Sequence, residues 1–187
     1  MPAPPPALAI EHVEGSSPAT FKLTRLEEGK SLSPVAIGSP YEFPAEGRPN
    51  SLLMRELRWY LEQFLDYPFH PETDHADHVL DALRAWGTQA FNALFDRRDA
   101  GDWLGHSAIL QVRADDPHVL SWPWEALYDP QAGAYLAHQR RVERRLAVRP
   151  PRRKRSVRLP SRPWARWTEE VSGTVPRHSP NRRIFGV

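Results

Sequence analysis

The sequence predicts an α/β fold composed of an N-terminal β-hairpin, an antiparallel helix pair and the start of a mixed sheet. Two short segments near the N-terminus tend to alternate apolar and polar residues, and two longer stretches after residue 50 have helical spacing. Short strand-like segments return after Gly101. Because strands, helices and strands follow one another along the chain, we expect an α/β architecture.

The β-hairpin is predicted from residues 7–13 and 20–26, with Gly-Ser-Ser-Pro at 15–18 as its turn. Residues 27–30 predict the next turn, and a third short strand is expected at 34–37. Prolines at positions 40, 44 and 49 then predict a loop. Residues 1–49 are therefore expected to form a β-hairpin followed by a Pro-rich loop.

Two amphipathic helices are predicted next. Ser51 is the expected N-cap of the first, which Pro68 and Pro71 end. Its apolar stripe consists of Leu53, Leu57, Tyr60, Leu61, Phe64 and Leu65. The second is expected at about residues 74–95. Its predicted buried face consists of Val79, Leu80, Leu83, Trp86, Ala90, Phe91, Leu94 and Phe95.

The remainder of the predicted domain has short elements. Residues 107–113 predict a strand, which Asp115-Asp116-Pro117 ends as a turn. Residues 119–128 predict a turn into a short helix with Pro123 near its first position. A turn at 129–133 and two short strands at 134–137 and 142–148 are expected to follow. The α/β part is thus predicted to span residues 50–148.

Composition excludes several classes of chemistry. The chain of 187 residues has no cysteine, so disulfides, thiolate metal sites and cysteine nucleophiles are excluded. No apolar run approaches the roughly 20 residues that cross a bilayer, and the N-terminus lacks the basic region of a signal peptide. A cytoplasmic location is the expectation, and no cofactor is predicted.

Charge divides the chain into two regions. Residues 1–139 hold 10 of the 25 basic and 20 of the 23 acidic side chains, whereas residues 140–187 hold 15 basic and 3 acidic ones. Residues 149–187 lack sustained periodicity and predict a basic, disordered tail. Its run Arg152, Arg153, Lys154 and Arg155 predicts weak, nonspecific contact with polyanions. Nucleic acid, an anionic membrane surface and the chain's own acidic region all remain as polyanion partners.

One series of segments is a more specific indicator of a protein family than the rest of the sequence. It comprises Ala-Ile-Leu-Gln-Val at 108–112, Asp-Asp-Pro at 115–117, Leu-Ser-Trp-Pro-Trp-Glu-Ala-Leu-Tyr-Asp-Pro at 120–130, Tyr-Leu-Ala at 135–137 and Arg-Arg-Leu at 144–146. This series resembles the leading part of a CHAT domain, the caspase-like module of many bacterial proteins that often lies beside tetratricopeptide repeats. The resemblance covers residues 50–148. The residues that match the family's helix-start element are Pro123, Trp124, Glu125, Leu127 and Asp129.

The resemblance implies that intact relatives are cysteine endopeptidases. Their histidine, in a Gly-His-Gly-like loop, and their cysteine would follow the Arg144-Arg145-Leu146 segment, where this chain has its basic tail. His106 and His178 do not match that loop, so no catalytic residue is carried over. We predict a truncated, catalytically inactive CHAT-like protein, either regulatory or a gene fragment. Its expected partner is a complementing half-domain or a repeat domain.

The tail also suggests an origin. Its bias toward Arg, Pro, Ser and Trp is typical of a shifted reading frame in GC-rich DNA. A shortened or split family member is the alternative, and sequencing the locus distinguishes the two. A small binding or scaffold module that uses the helix pair and the basic tail is the second functional hypothesis.

Other residue groups have simpler interpretations. The acidic and histidine-rich stretch predicts a solvated helix N-terminus rather than a metal site, because no HExxH-type spacing is present. Its members are His70, Glu72, Asp74, His75, Asp77, His78 and Asp81. A Ser/His/Asp triad could combine Ser107 or Ser121 with His106 or His118. No Gly-x-Ser-x-Gly nucleophile-elbow sequence supports such a triad. The aromatic residues of the two helices are expected in the core rather than in a ligand pocket.

Overall fold

A six-stranded mixed sheet organises the fold. The computed structural model describes residues 5–45, 50–66, 68 and 72–147. The strands of this sheet are β1 (Ala7–Val13), β2 (Thr20–Arg25), β3 (Lys30–Ser31), β4 (Val35–Ala36), β5 (Ile109–Ala114) and β8 (Arg141–Leu146). Their order is β3-β2-β1-β5-β8, and β4 pairs with β2. A separate two-stranded sheet consists of β6 (Tyr128–Asp129) and β7 (Ala134–Tyr135).

The helices connect the two halves of the main sheet. They are α1 (Leu53–Trp59), which continues into a π-helical turn at Tyr60–Phe64, then α2 (Glu72–Phe95), α3 (Arg98–His106) and α4 (Pro117–Leu120). Single 3-10 turns lie at Trp124–Ala126 and Leu136–His138. The predicted α/β class and the β1–β2 hairpin are confirmed. None of the helices in these ranges is long and apolar enough to cross a bilayer.

The hairpin and the later strands belong to one sheet. Strand β1 pairs antiparallel with β2 and parallel with β5, and β5 pairs parallel with β8. The segments expected at 1–49 and 50–148 therefore meet in one compact unit. Residues 149–187, including the predicted basic run, lie outside the described residues.

Helix α3 is absent from the prediction. Only Asp96 and Arg97 separate it from α2, and Arg97 has extended backbone angles (φ −74°, ψ 132°) that end one helix before the next begins. Ala100 and Leu104 of α3 are buried. The sequence contains no proline or turn signal at this break, so helical periodicity alone did not reveal it.

The start and outer face of the first helix differ from the prediction. Ser51 is not the N-cap: Leu52 occupies that position without a side-chain cap, and Ser51 Oγ is buried without a hydrogen-bond partner among the described residues. Leu53 is buried, but Leu61 and Leu65 are 57% and 53% exposed. The amphipathic spacing predicted the helix correctly but did not predict how much of its stripe is covered.

Helix α2 is confirmed, with a different buried face. Leu80 is 38% exposed, whereas Ala76, Ala82 and Gly87 are buried beside Val79 and the other expected core residues. Small residues on this side let the α2 backbone approach its neighbours. Alanine and glycine, and not only the large apolar residues, therefore form the packed face of α2.

Three short elements also need correction. Asp115-Asp116-Pro117 was predicted as a turn only, but Asp116 caps α4 and Pro117 is its first residue. The third strand predicted at 34–37 is shortened to β4, and β3 precedes it unpredicted. The strand predicted at 134–137 ends at Tyr135, where a 3-10 turn takes over.

The two faces of the main sheet differ in chemistry. The cross-strand registers place one set of alternating side chains on the apolar side, which we call the core face. It includes Leu8, Ile10, Phe21, Leu23, Leu110, Val112 and Ala114, all buried. The opposite side, the polar face, carries Glu11, Lys22, Thr24, Gln111, Arg113, Glu143 and Arg145.

Candidate functional site

Three tryptophans pack together on the core face, beside residues 123–129. Trp86 of α2, Trp122 and Trp124 are fully buried, and Phe21 of β2 completes the group. The rings of Trp122 and Trp124 are stacked 5.5 Å apart, and Phe21 meets Trp124 edge-on at 5.2 Å. Each such ring removes a large apolar area from water. This tryptophan cluster therefore anchors the segment after α4 onto the sheet.

Hydrogen bonds fix two of the indole rings. Trp86 Nε1 donates to the carbonyl of Gly38 at 3.0 Å, and Trp124 Nε1 donates to that of Val119 at 2.9 Å. Trp122 Nε1 is buried and has no partner among the described residues. The two hydrogen bonds set the orientations of the Trp86 and Trp124 rings. A buried indole N–H usually has an acceptor, but Trp122 is held by its stacking on Trp124.

Pro123 turns the chain between the two stacked rings. As predicted, it lies next to the first helical residue, since it is the N-cap of the 3-10 turn at Trp124–Ala126, and its backbone angles (φ −77°, ψ 63°) are those of an inverse γ-turn. The amide of Trp124 donates to the carbonyl of Trp122 at 2.8 Å across this turn. The fixed φ of proline thus brings the two tryptophans onto the same side of the chain.

Leu127 and Asp129 end the element in different ways. Leu127 is fully buried in the core. Asp129 Oδ1 accepts hydrogen bonds from the amides of Gln131 at 2.8 Å and Ala132 at 3.1 Å. These bonds form an Asx-type turn that leads from β6 to β7. Leu127 and Asp129 therefore both support the fold of this chain.

Glu125 forms an ion pair with the last long strand. Arg144 Nη2 of β8 donates to Glu125 Oε2 and, at 3.2 Å, to the carbonyl of Trp122. The Arg144 and Glu125 side chains are 39% and 50% exposed, so water screens their attraction. The sequence alone does not identify Arg144 as the partner of Glu125. The pair forms only when the chain folds, and it joins the segment 120–130 to the segment 144–146.

Gly87 permits the closest approach of α2 to this element. A Cβ atom built on Gly87 would lie 1.9 Å from the carbonyl oxygen of Ala126. No side chain fits that space, so only glycine allows the α2 backbone to lie against the 3-10 turn. The contact explains a glycine in the interior of a helix, where it otherwise costs about 1 kcal/mol relative to alanine.

The polar face carries a first charge cluster around Glu11. Its carboxylate lies 3.1 Å from Lys22 Nζ and 3.5 Å from an Arg113 nitrogen, and it accepts a hydrogen bond from Thr24 Oγ1 at 2.9 Å. These contacts join three adjacent strands, β2, β1 and β5. Cross-strand pairs of this kind stabilise sheet register modestly.

A second cluster surrounds Glu143 on β8. Its carboxylate lies 2.8 Å from Arg145 Nη2 and 3.1 Å from Arg141 Nε, and it accepts a hydrogen bond from Gln111 Nε2 at 3.2 Å. The hydrogen bond from Arg145 and the charges of both arginines hold the pKa of Glu143 below its usual value. The alternation of polar residues in β5 and β8 was the available signal for this cluster.

The serine and histidine candidates are engaged separately. Ser107 Oγ donates to the carbonyl of Leu104 at 3.1 Å, and Ser121 Oγ donates to that of His118 at 2.6 Å. His106 Nδ1 lies 2.7 Å from the carbonyl oxygen of Asp102. Each hydroxyl thus bonds to nearby backbone, as is usual at helix ends. The arrangement does not favour a nucleophile and base.

The histidine-rich stretch forms an interhelical contact. His75 Nε2 lies 2.9 Å from Glu56 Oε2, both side chains are largely buried, and the Trp59 ring lies 4.4 Å from the imidazole. Within residues 5–45, 50–66, 68 and 72–147, no three His, Asp or Glu side chains are grouped so that they could hold a metal ion. His70 lies outside these ranges. The contact joins α1 to the first turn of α2.

The remaining aromatic residues separate by region. Trp86, Phe91 and Phe95 of α2 are buried, as expected of core residues, whereas Trp59 and Phe64 are only half-buried. Trp59 and Phe64 lie 5.7 Å apart beside the exposed leucines of the first helix. The first helix therefore ends in a partly uncovered apolar surface.

Comparisons with known proteins found no matching family model, no matching curated protein and no matching solved structure.

Proposed function

We propose that this chain is a non-catalytic, CHAT-like protein corresponding to the front part of a caspase-like domain, and that it acts by associating with a complementing polypeptide. The observation that carries the proposal is the Glu125–Arg144 pair. It connects the Pro-Trp-Glu element with the arginine-bearing strand, the two segments on which the resemblance depends. The parallel run of β1, β5 and β8 is compatible with the same domain type.

The chemistry of the chain supports a non-catalytic role. A cysteine endopeptidase requires a thiolate nucleophile, and the 187 residues include no cysteine. The five residues of the helix-start element support the fold: Trp124 and Leu127 are buried, and Asp129 caps a turn. Regulation through binding is therefore the better-supported role.

The locus provides the first test. The proposal expects DNA downstream, in another reading frame or a neighbouring gene, to encode a Gly-His-Gly-like loop and a cysteine. Co-expression of that segment should increase the soluble yield of this chain and co-purify with it. An intact frame without any such coding segment contradicts the proposal.

The second candidate function is an autonomous binding module. The exposure of Leu61 and Leu65 favours it, because a helix end with uncovered leucines offers a docking surface. A cooperative thermal melt of the purified chain supports this candidate. Non-cooperative unfolding, as expected of a half-domain without its complement, supports the first.

Polyanion binding belongs to this second candidate. Arg152, Arg153, Lys154 and Arg155 are expected to retain the protein on DNA in a salt-dependent manner. Replacing all four with glutamine should weaken retention, so that the variant elutes at lower salt. Unchanged retention of that variant would exclude this run as the contact.

A further inference from the structure

The two edges of the main sheet are constructed differently. At one edge β3 and β4 contain two residues each, and Lys30 of β3 is exposed. Short edge strands and edge lysines are common ways of preventing unwanted strand pairing. At the other edge β8 extends over six residues, from Arg141 to Leu146. The first edge is protected by its shortness, and the second is not.

The backbone register shows which groups of β8 face outward. The amide of Arg141 donates to the carbonyl of Ala108 at 3.3 Å, and that of Ala147 donates to Ala114 at 3.1 Å. In a parallel ladder every second residue bonds to the same neighbour. The N–H and C=O groups of Val142, Arg144 and Leu146 therefore point away from β5, where no strand of the described part pairs with them.

The side chains of β8 leave this backbone edge accessible. Arg141 and Arg145 are paired along the strand with Glu143, and Arg144 is paired with Glu125 on the core-face side. Three arginines thus face two glutamates, an excess of one positive charge. Leu146 at the end of the strand is 62% exposed. The edge therefore combines free backbone groups, an uncovered apolar side chain and a small positive excess.

We propose that the outer edge of β8 binds an extended segment of a partner polypeptide as an added strand of the sheet. The bound segment places apolar side chains beside Val142 and Leu146 on the core face and acidic side chains beside Arg141 and Arg145 on the polar face. Main-chain hydrogen bonds provide affinity in this binding mode, and alternating side chains provide selectivity. The inference rests on the proposed function in one respect, that the partner is a polypeptide.

Model peptides test the edge directly. The full chain is titrated against fluorescently labelled Ac-(Val-Glu)4-NH2, against the lysine counterpart Ac-(Val-Lys)4-NH2, and against a Val-Glu peptide N-methylated at every residue. The unmodified Val-Glu peptide is expected to bind about tenfold more tightly than either of the other two, because they lose charge complementarity or main-chain donors. Equal binding of the methylated peptide would overturn the proposal.

Two substitutions at one position provide the matched control. Leu146→Pro removes an outward N–H while leaving the amides that bond to β5 intact, and it should weaken binding of the Val-Glu peptide about tenfold. Leu146→Thr keeps the N–H and should change affinity by about threefold or less. Near-ultraviolet circular dichroism of the tryptophans verifies folding of both variants. Peptide affinity unchanged by Leu146→Pro contradicts edge binding.

Sedimentation velocity identifies the occupant. A monomer that binds the Val-Glu peptide supports a separate partner, whereas self-association that Leu146→Pro abolishes would assign the edge to a second copy and overturn the partner. Failure of strand binding at β8 can be distinguished from failure of the proposed function. A locus without a complementary coding segment contradicts the CHAT-like proposal but leaves peptide binding at β8 measurable and valid.

Discussion

The tryptophan cluster and the outer end of the first helix show opposite relations between aromatic residues and burial. In the cluster, Trp86 of α2 meets Trp122 and Trp124 of the segment after α4, and all three are fully buried. At the helix end, Trp59 is half-buried and the neighbouring leucines are exposed. Both regions are rich in large apolar side chains. Their difference teaches that burial depends on convergence of several elements rather than on apolar content.

The difference should also appear in local stability. The cluster is surrounded by β2, α2 and the segment after α4, so exposing it requires opening of the core. At the helix end, Glu56 contacts His75, and Trp59 packs against the same imidazole. Regions with few buried contacts open at low free energy. We therefore expect substitutions in the cluster to have larger effects than equivalent substitutions at the helix end.

The largest effect is expected from a tryptophan truncation. Trp124→Ala removes a fully buried ring and its hydrogen bond, and it should lower the free energy of unfolding by about 3–5 kcal/mol. The matched change Trp59→Ala at the helix end should cost about half of that or less. Urea titration followed by tryptophan fluorescence measures both. Equal losses would mean that the two regions are equally important to the core.

A glycine substitution tests the close approach of α2. Gly87→Ala places a methyl group against the carbonyl of Ala126 and should cost about 2–3 kcal/mol, since both partners are backbone. Gly105→Ala in α3 is the control, because its added Cβ would enter open space. It should be neutral or stabilise the protein by up to about 1 kcal/mol. Similar unfolding free energies for the two variants would refute the close contact.

The ion pairs of the two regions give a smaller contrast. Glu125→Gln removes the partner of Arg144 and should cost about 0.5–1 kcal/mol at low salt, with the loss reduced at high salt. Glu62→Gln removes the exposed pair with Arg58 at the helix end and should cost about 0.3 kcal/mol. Urea titrations at two salt concentrations measure both losses. A larger loss for Glu62→Gln would reverse the predicted order.

The smallest effect is expected from the exposed leucines. Replacing Leu61 and Leu65 with serine should change the free energy of unfolding by about 0.5 kcal/mol or less, because water already reaches both side chains. Chemical denaturation provides the value. A loss above about 2 kcal/mol would show that these leucines belong to the core.

The sequence predicted elements with strong periodicity better than it predicted their surroundings. Helix α2 and the β1–β2 hairpin were located because their spacing repeats over many residues. The exposure of Leu61 was not predictable, because the same spacing arises whether or not another element covers the stripe. Helix α3 was missed because a two-residue break carries almost no sequence signal.

Of the candidate site, the sequence predicted only the part that consists of neighbouring residues. The element from Pro123 to Asp129 is recognisable because its residues are consecutive. The Arg144 partner of Glu125 and the contact of Gly87 with Ala126 depend on distant segments brought together by the sheet and α2. One sequence provides no direct measure of such distances, so these contacts became evident only in the folded chain.

Amide hydrogen exchange at β8 tests the account most directly. In the full chain alone, the outward amides of Val142, Arg144 and Leu146 should exchange rapidly, while the inward amides of Glu143 and Arg145 remain protected by β5. This alternation is the expected signature of an open sheet edge. Equally strong protection of all five amides would show that the edge is already occupied and would contradict the account.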